Sequence, residues 1–172
     1  AMKKSKRIAV CGLLVATALV LSLVERMFPL QAVVPIPGIK LGLANVVTLF
    51  ALTRLRLRET IAIVVVRVLL SSIFAGSITA FLFSLFGGLL AMFVMKALFY
   101  VEGYWVSLAG ISVAGAAAHN IGQIGAAVLV LGTADVMGYL PLLLVLSIPM
   151  GLVTGSVCTA VLGHIKKLHF FI

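Results

Sequence analysis

No charged residue occurs between Ser107 and Thr133. At about 1.5 Å per residue, a helix over that stretch exceeds the roughly 30 Å of a bilayer's hydrocarbon core. A membrane-spanning helix is therefore predicted here. Inside it stands Gly115-Ala-Ala-Ala-His119-Asn120-Ile-Gly-Gln123. Polar side chains at that depth are costly, and they face a bundle interior or a cavity.

The rest of the chain has the same character. Of its 172 residues, 63% are hydrophobic and 10% charged, and the mean hydropathy is +1.32. A water-soluble domain of this size has too little interior to hide that much apolar surface. A transmembrane barrel would alternate apolar and polar residues in runs of about ten, whereas the runs here are continuous. The expected fold is all-α: a polytopic membrane protein forming one transmembrane domain over residues 1–172, with no separate soluble part.

Six helices are predicted, at about 8–24, 41–53, 60–74, 78–100, 107–131 and 137–163. The second is short for a bilayer. The third and fourth are divided only by Ala75-Gly76-Ser77, so one long kinked helix is an alternative. The basic start, Lys3-Lys4-Ser5-Lys6-Arg7, ahead of an apolar run imitates a signal peptide. The further spans favour an uncleaved first helix.

Charge orients the bundle. With the N-terminus in the cytoplasm, the inner ends carry Lys3, Lys4, Lys6, Arg7, Arg54, Arg56, Arg58, Lys96, Lys166 and Lys167. The outer side keeps Arg26 and Lys40. The positive-inside rule then places both termini in the cytoplasm, in a bacterial cytoplasmic membrane. The net charge of +9 serves anchoring to anionic headgroups. No nucleic-acid partner is expected, because the basic residues neither interleave with aromatics nor sit on a soluble fold.

The first outer connector, Glu25 to Lys40, is largely apolar and holds Pro29, Pro35, Pro37 and Gly38. Proline lowers the entropy lost on ordering. The segment reads either as a lid folded over the bundle or as an interfacial connector.

The candidate site residues follow from the polar exceptions. His119 and Gln123 are four apart and share a helix face, with Asn120 about 100° round. They either bond neighbouring helices or contact a ligand. Arg67 lies in mid-helix and keeps its proton. It must snorkel, meet backbone carbonyls or meet an anion, and no acidic partner is evident among four acidic residues. Lys40 and Asn45 open the second helix from the outer side, where Lys40 meets an anion or a headgroup. Asp135 reads as a helix cap or a gate residue. Gly12 and Ala16 form a small-xxx-small pair suited to helix packing. Cys11 and Cys158 have neither metal-ligand spacing nor a disulfide framework. No metal and no resident cofactor are expected. There is no G-x-x-x-x-G-K-[ST] string, so ATP energy would come from partner subunits.

Several strings are familiar: Pro37-Gly38-Ile-Lys40-Leu-Gly-Leu-Ala-Asn45-Val-Val-Thr48, Arg67-Val-Leu-Leu-Ser-Ser-Ile-Phe-Ala-Gly-Ser77, Phe83-Ser-Leu-Phe-Gly-Gly88 and His119-Asn-Ile-Gly-Gln123. They resemble the Gx transporter family, also labelled heptaprenyl diphosphate synthase component I. That family is in turn similar to the substrate-binding S components of energy-coupling factor (ECF) vitamin transporters. The resemblance implies six helices, a lid after the first, and docking of Gly12 and Ala16 on a transmembrane coupling subunit that works with ATPase subunits. It also implies a pocket that opens outward, lined by the lid and the later helices. The residues read above as ligand contacts are Lys40, Asn45, Arg67, His119, Asn120 and Gln123; Arg67, Lys40 and His119 favour an acidic or phosphorylated small molecule, and the apolar walls suit a cofactor or an isoprenoid, quinone or flavin type of precursor. The alternative that the resemblance carries is a non-catalytic membrane subunit of heptaprenyl diphosphate or quinone synthesis, or of flavin- and quinone-linked extracellular electron transfer. Catalysis by this chain is not expected. Diphosphate chemistry needs several carboxylate oxygens around Mg²⁺, and Asp135 is the sole aspartate.

Overall fold

The computed structural model describes residues 4–28, 32, 34–35, 39–103 and 106–167. Six α-helices follow one another: α1 Lys4–Glu25, α2 Asn45–Arg54, α3 Leu57–Ala75, α4 Ile78–Leu98, α5 Leu108–Leu131 and α6 Leu140–Lys167. Short 3-10 turns at Phe99–Val101 and Asp135–Tyr139 extend α4 and precede α6.

By length and composition, four of these segments can cross a membrane: Lys4–Glu25, Ile78–Val101, Leu108–Leu131 and Asp135–Lys167. The other two explain themselves. α2 has 10 residues, about 15 Å of helix and half a bilayer core. α3 has 19 residues but holds Arg58, Glu59 and Arg67.

Local chemistry sets the boundaries. The weak break at Ala75-Gly76-Ser77 is a true one: Gly76 ends α3 in the left-handed region at φ 61°. Ser77 then caps α4, its hydroxyl accepting the Ala80 N–H at 3.2 Å. The single kinked helix is thereby excluded. α2 starts at Asn45 rather than near residue 41, because Gly42 at φ 87° breaks the helical path. At α6, the Thr133 hydroxyl, not Asp135, accepts a free N–H, that of Asp135 itself, at 3.2 Å. α6 proper therefore starts at Leu140, later than predicted, and it runs on past Gly163 to Lys167.

α2 is the hub. It packs on all five other helices, and Val47 through Leu52 are all buried. Around it run α1, α3, α4, α5 and α6 in spatial order, with the closest pairings α4 on α5 and α5 on α6. Glycine lets those backbones meet. A Cβ on Gly122 would lie 2.7 Å from the Phe86 carbonyl oxygen, and one on Gly151 would lie 2.7 Å from the Val113 nitrogen. The ring stays open between α1 and α6, where a groove of about 600 Å³ is lined by Leu13 and Thr17 of α1, Val46 and Phe50 of α2, and Val157 and Val161 of α6.

The connector after α1 turns inward. Val34 is fully buried and Ile39 nearly so, both packed with Phe83, Ile124 and Leu143. Burying such side chains fixes the segment at about 1.5–3 kcal/mol each. Pro29, Pro37 and Gly38 lie outside the described residues, as does Lys3.

At the opposite end, Arg7 of α1 pairs with Glu59 of α3 at 2.5 Å. The hydrogen bond from Arg7 holds the Glu59 carboxyl below the usual carboxylate range. Such a half-exposed pair contributes under about 1 kcal/mol. Its sign follows from the depressed value: the contribution is present at neutral pH and fades as acid protonates Glu59. Arg7→Ala is thus expected to lower the thermal midpoint slightly at neutral pH and not at all in acid. An equal difference at both pH values would remove the ion pair as the cause.

Candidate functional site

The site grows from the place where α4 and α5 touch. Gly87 has no room for a side chain, since a Cβ there would sit 2.8 Å from the His119 carbonyl oxygen and 2.9 Å from Gln123 Cγ. That close approach buries His119, Asn120 and Gln123 together, each at most 2% exposed.

Two of the three are used up by the protein itself. Gln123 clasps the connector: its Oε1 accepts the Lys40 N–H at 2.9 Å, and its Nε2 donates to the Lys40 carbonyl at 2.8 Å. The same Nε2 donates to Asn120 Oδ1 at 3.3 Å, and Asn120 Nδ2 donates to the Leu143 carbonyl of α6 at 2.8 Å. Asn120 and Gln123 therefore join α5, α6 and the connector. Of the two roles open to them in the sequence, interior bonding is the one on view.

His119 faces the other way. Neither ring nitrogen makes a hydrogen bond of full geometry among the described residues, although the Gly87 backbone lies against the ring. It lines a small cavity with Glu25, Lys40, Gly42, Arg67 and Ser84, and Ser22, Val68 and Ser71 complete the wall. The cavity measures about 10 Å³, room for about one water molecule.

The wall residues come from α1, the connector, α3, α4 and α5. Arg67 is 4% exposed, and Gly88 of α4 makes space for its guanidinium: a Cβ there would lie 3.1 Å from Nη2. Nε and Nη2 of Arg67 have no partner among the described residues, and neither has Ser84 Oγ. Asn45, at the start of α2, has both amide atoms unpaired as well. It stands beside Gly42, whose ideal Cβ would meet Asn45 Nδ2 at 2.9 Å and His119 Cδ2 at 3.2 Å. Lys40 reaches across to α3, where its Nζ donates to Ser71 Oγ at 3.2 Å.

The acidic residue that shares a cavity with Arg67, which the sequence did not reveal, is Glu25, 5% exposed at the last position of α1. Its Oε1 accepts the Gly42 N–H. The Leu43 N–H also faces it, and the charges of Lys40 and Arg67 both act on it. Ser22, three residues earlier on α1, shares its face. This i, i+3 polar pair at the end of an apolar run was the available signal. Arg26 follows, its guanidinium donating to the Ser71 carbonyl. The cavity thus gathers two cations and one carboxylate, with unpaired His119 and Ser84 in its wall and unpaired Asn45 just behind Gly42. Orphaned groups of this kind each cost about 1–3 kcal/mol in a sealed interior.

Gly12 and Ala16 are elsewhere. Both are exposed on α1, and nothing lies within 4 Å of a Cβ on Gly12. Phe74 also faces outward, whereas Phe83 belongs to the core that receives the connector.

The family model described as heptaprenyl diphosphate synthase component I matches residues 14–161. The chain belongs to that family. No curated protein and no solved structure matches it. The matched stretch runs from α1 into α6, so every cavity residue of this heptaprenyl diphosphate synthase component I family member falls inside it. Of its acidic residues, Glu25 alone lines the cavity.

Proposed function

We propose that this chain is a non-catalytic, substrate-binding subunit of the bacterial cytoplasmic membrane, of the ECF S-component kind. It captures a small precursor of cofactor, isoprenoid, quinone or flavin type that bears an anionic group. The observation that carries this reading is the buried cluster of Arg67, His119 and Asn45, whose polar atoms lack partners. Structural polar groups in a bundle interior are normally paired, as Asn120 and Gln123 are here. Groups left unpaired beside two cations suit a visiting anion.

The path in is the outer side. With six spans and an inner N-terminus, the connector held by Gln123 lies outermost and acts as the lid. At about 10 Å³ the closed cavity takes no metabolite, so binding requires the connector or the end of α1 to move. The exposed Gly12 and Ala16 then serve a transmembrane coupling subunit, and ATPase subunits supply the energy.

Native mass spectrometry of the detergent-purified protein tests the reading. One bound metabolite is expected, and Arg67→Ala and His119→Ala should each weaken it by about tenfold or more, the loss of one charge-assisted or buried hydrogen bond. Wild-type affinity in both folded variants would end the site assignment.

The family description favours a second reading: a non-catalytic membrane subunit of prenyl diphosphate or quinone synthesis. The apolar groove between α1 and α6 suits a prenyl chain. A chain that carries lipid alone yet copurifies with a prenyltransferase would support it.

A further inference from the structure

Glu25 is an unusual occupant for a cavity that holds Lys40 and Arg67. A carboxylate placed only to neutralise Arg67 would take the guanidinium's N–H groups in a two-bond fork. Instead Glu25 Oε1 takes the Gly42 N–H, the Leu43 N–H faces it too, and Arg67 keeps Nε and Nη2 unpaired. Gly42 is left-handed, at φ 87°. Successive N–H groups at such a position form an anion-binding concavity. Lys40 stands two residues before it, and Arg67 of α3 lines the same cavity. These parts make a carboxylate receptor whose donors outnumber what Glu25 uses.

We infer that the Gly42 and Leu43 N–H groups, flanked by Lys40 and Arg67, are the carboxylate seat of the ligand site, and that Glu25 is a resident stand-in which the ligand's carboxylate displaces. This rests on the reading of the cavity as a ligand site, and it narrows the substrate class to carboxylates.

Displacement is within reach of the fold. Only Ala18, Ser22 and Glu25 of α1 are fully buried. The groove of about 600 Å³ already separates α1 from α6. The buried residues of the last turn of α1, Ser22 and Glu25, are both polar, so moving that turn withdraws little apolar surface from the core. A carboxylate arriving from outside keeps the seat's charge balance, and Arg67, His119 and Asn45 remain to hold the rest of the ligand.

Side-chain replacement in solution tests the seat. Glu25→Ala removes the stand-in, and propionate is the probe, because it carries the missing carboxylate; propionamide has the same shape without the charge. Thermal unfolding is followed in detergent for wild type, Glu25→Ala and Glu25→Ala/Arg67→Ala. Propionate is expected to raise the midpoint of Glu25→Ala, to leave the double variant unmoved, and to act on wild type only at much higher concentration. Propionamide should do nothing. If Glu25→Ala does not fold unaided, purification with propionate present gives the same readout as recovered folded protein. Equal action by both probes, or by neither, overturns the seat. Rescue by propionate in a protein whose wild type holds no metabolite keeps the seat and rejects the capture reading. A wild type that holds a metabolite while rescue fails rejects the seat alone.

Discussion

Gly151→Ala is expected to destabilise the bundle by about 3 kcal/mol, the upper part of the range for overpacking a well-packed site. The added Cβ would lie 2.7 Å from the Val113 nitrogen and 2.8 Å from Val113 Cγ2, with Val113 Cα closer still. A side-chain tip can rotate away; a backbone cannot. α5 and α6 would have to part along a contact that also holds Gly155 against Ala109 and the Ser112–Thr154 hydroxyl pair at 2.8 Å. Gly125→Ala is the control. It is on α5 with nothing within 4 Å of its Cβ, so helix propensity alone applies and a gain of up to about 1 kcal/mol is expected. Unfolding titrations in mixed micelles read both. Indistinguishable midpoints would mean that the α5–α6 approach tolerates a methyl group.

Gln123→Leu should cost a similar amount, about 3 kcal/mol, by a different route. Leucine keeps the bulk and removes both halves of the clasp on Lys40. The Lys40 N–H and carbonyl would then be left without their amide partner in a buried setting, at about 1–3 kcal/mol each. Asn120 Oδ1 would lose its donor as well. The effect is local, so amide hydrogen exchange should quicken at Lys40 and its neighbours before the helices respond. Gln123→Glu should be worse, since a carboxylate cannot donate to the Lys40 carbonyl and brings a charge into a fully buried position. Unchanged exchange at residues 39–45 in Gln123→Leu would show that core packing of Ile39, not the clasp, holds the connector.

The helices were readable because continuous apolar runs and glycine or serine breaks are local signals. Gly76 and Ser77 ended and started helices as such residues do. The start of α2 was misplaced because Gly42 adopts a left-handed turn that a tertiary partner, Glu25, helps to fix. The polar cluster was visible as a list of residues but not as an arrangement. Sequence spacing put His119 and Gln123 on one face, yet they do opposite things: Gln123 binds a peptide from a segment 83 positions away, and His119 faces the cavity. That Arg67 shares a cavity with a carboxylate was hidden because Glu25 sits at the end of another helix, and no periodicity relates them. Pairings of that kind belong to the packing of the ring around α2.

The unclosed side of that ring makes the bilayer a structural component. A cleft of about 600 Å³ lined almost wholly by hydrocarbon side chains does not stay empty among lipid tails. A tail that enters would form the wall between α1 and α6. Glu25 is on the last turn of α1, so a lean of α1 would reach the grip on Gly42. The apolar groove and the polar chamber thus lie at two ends of one helix, and what fills the first bears on the second.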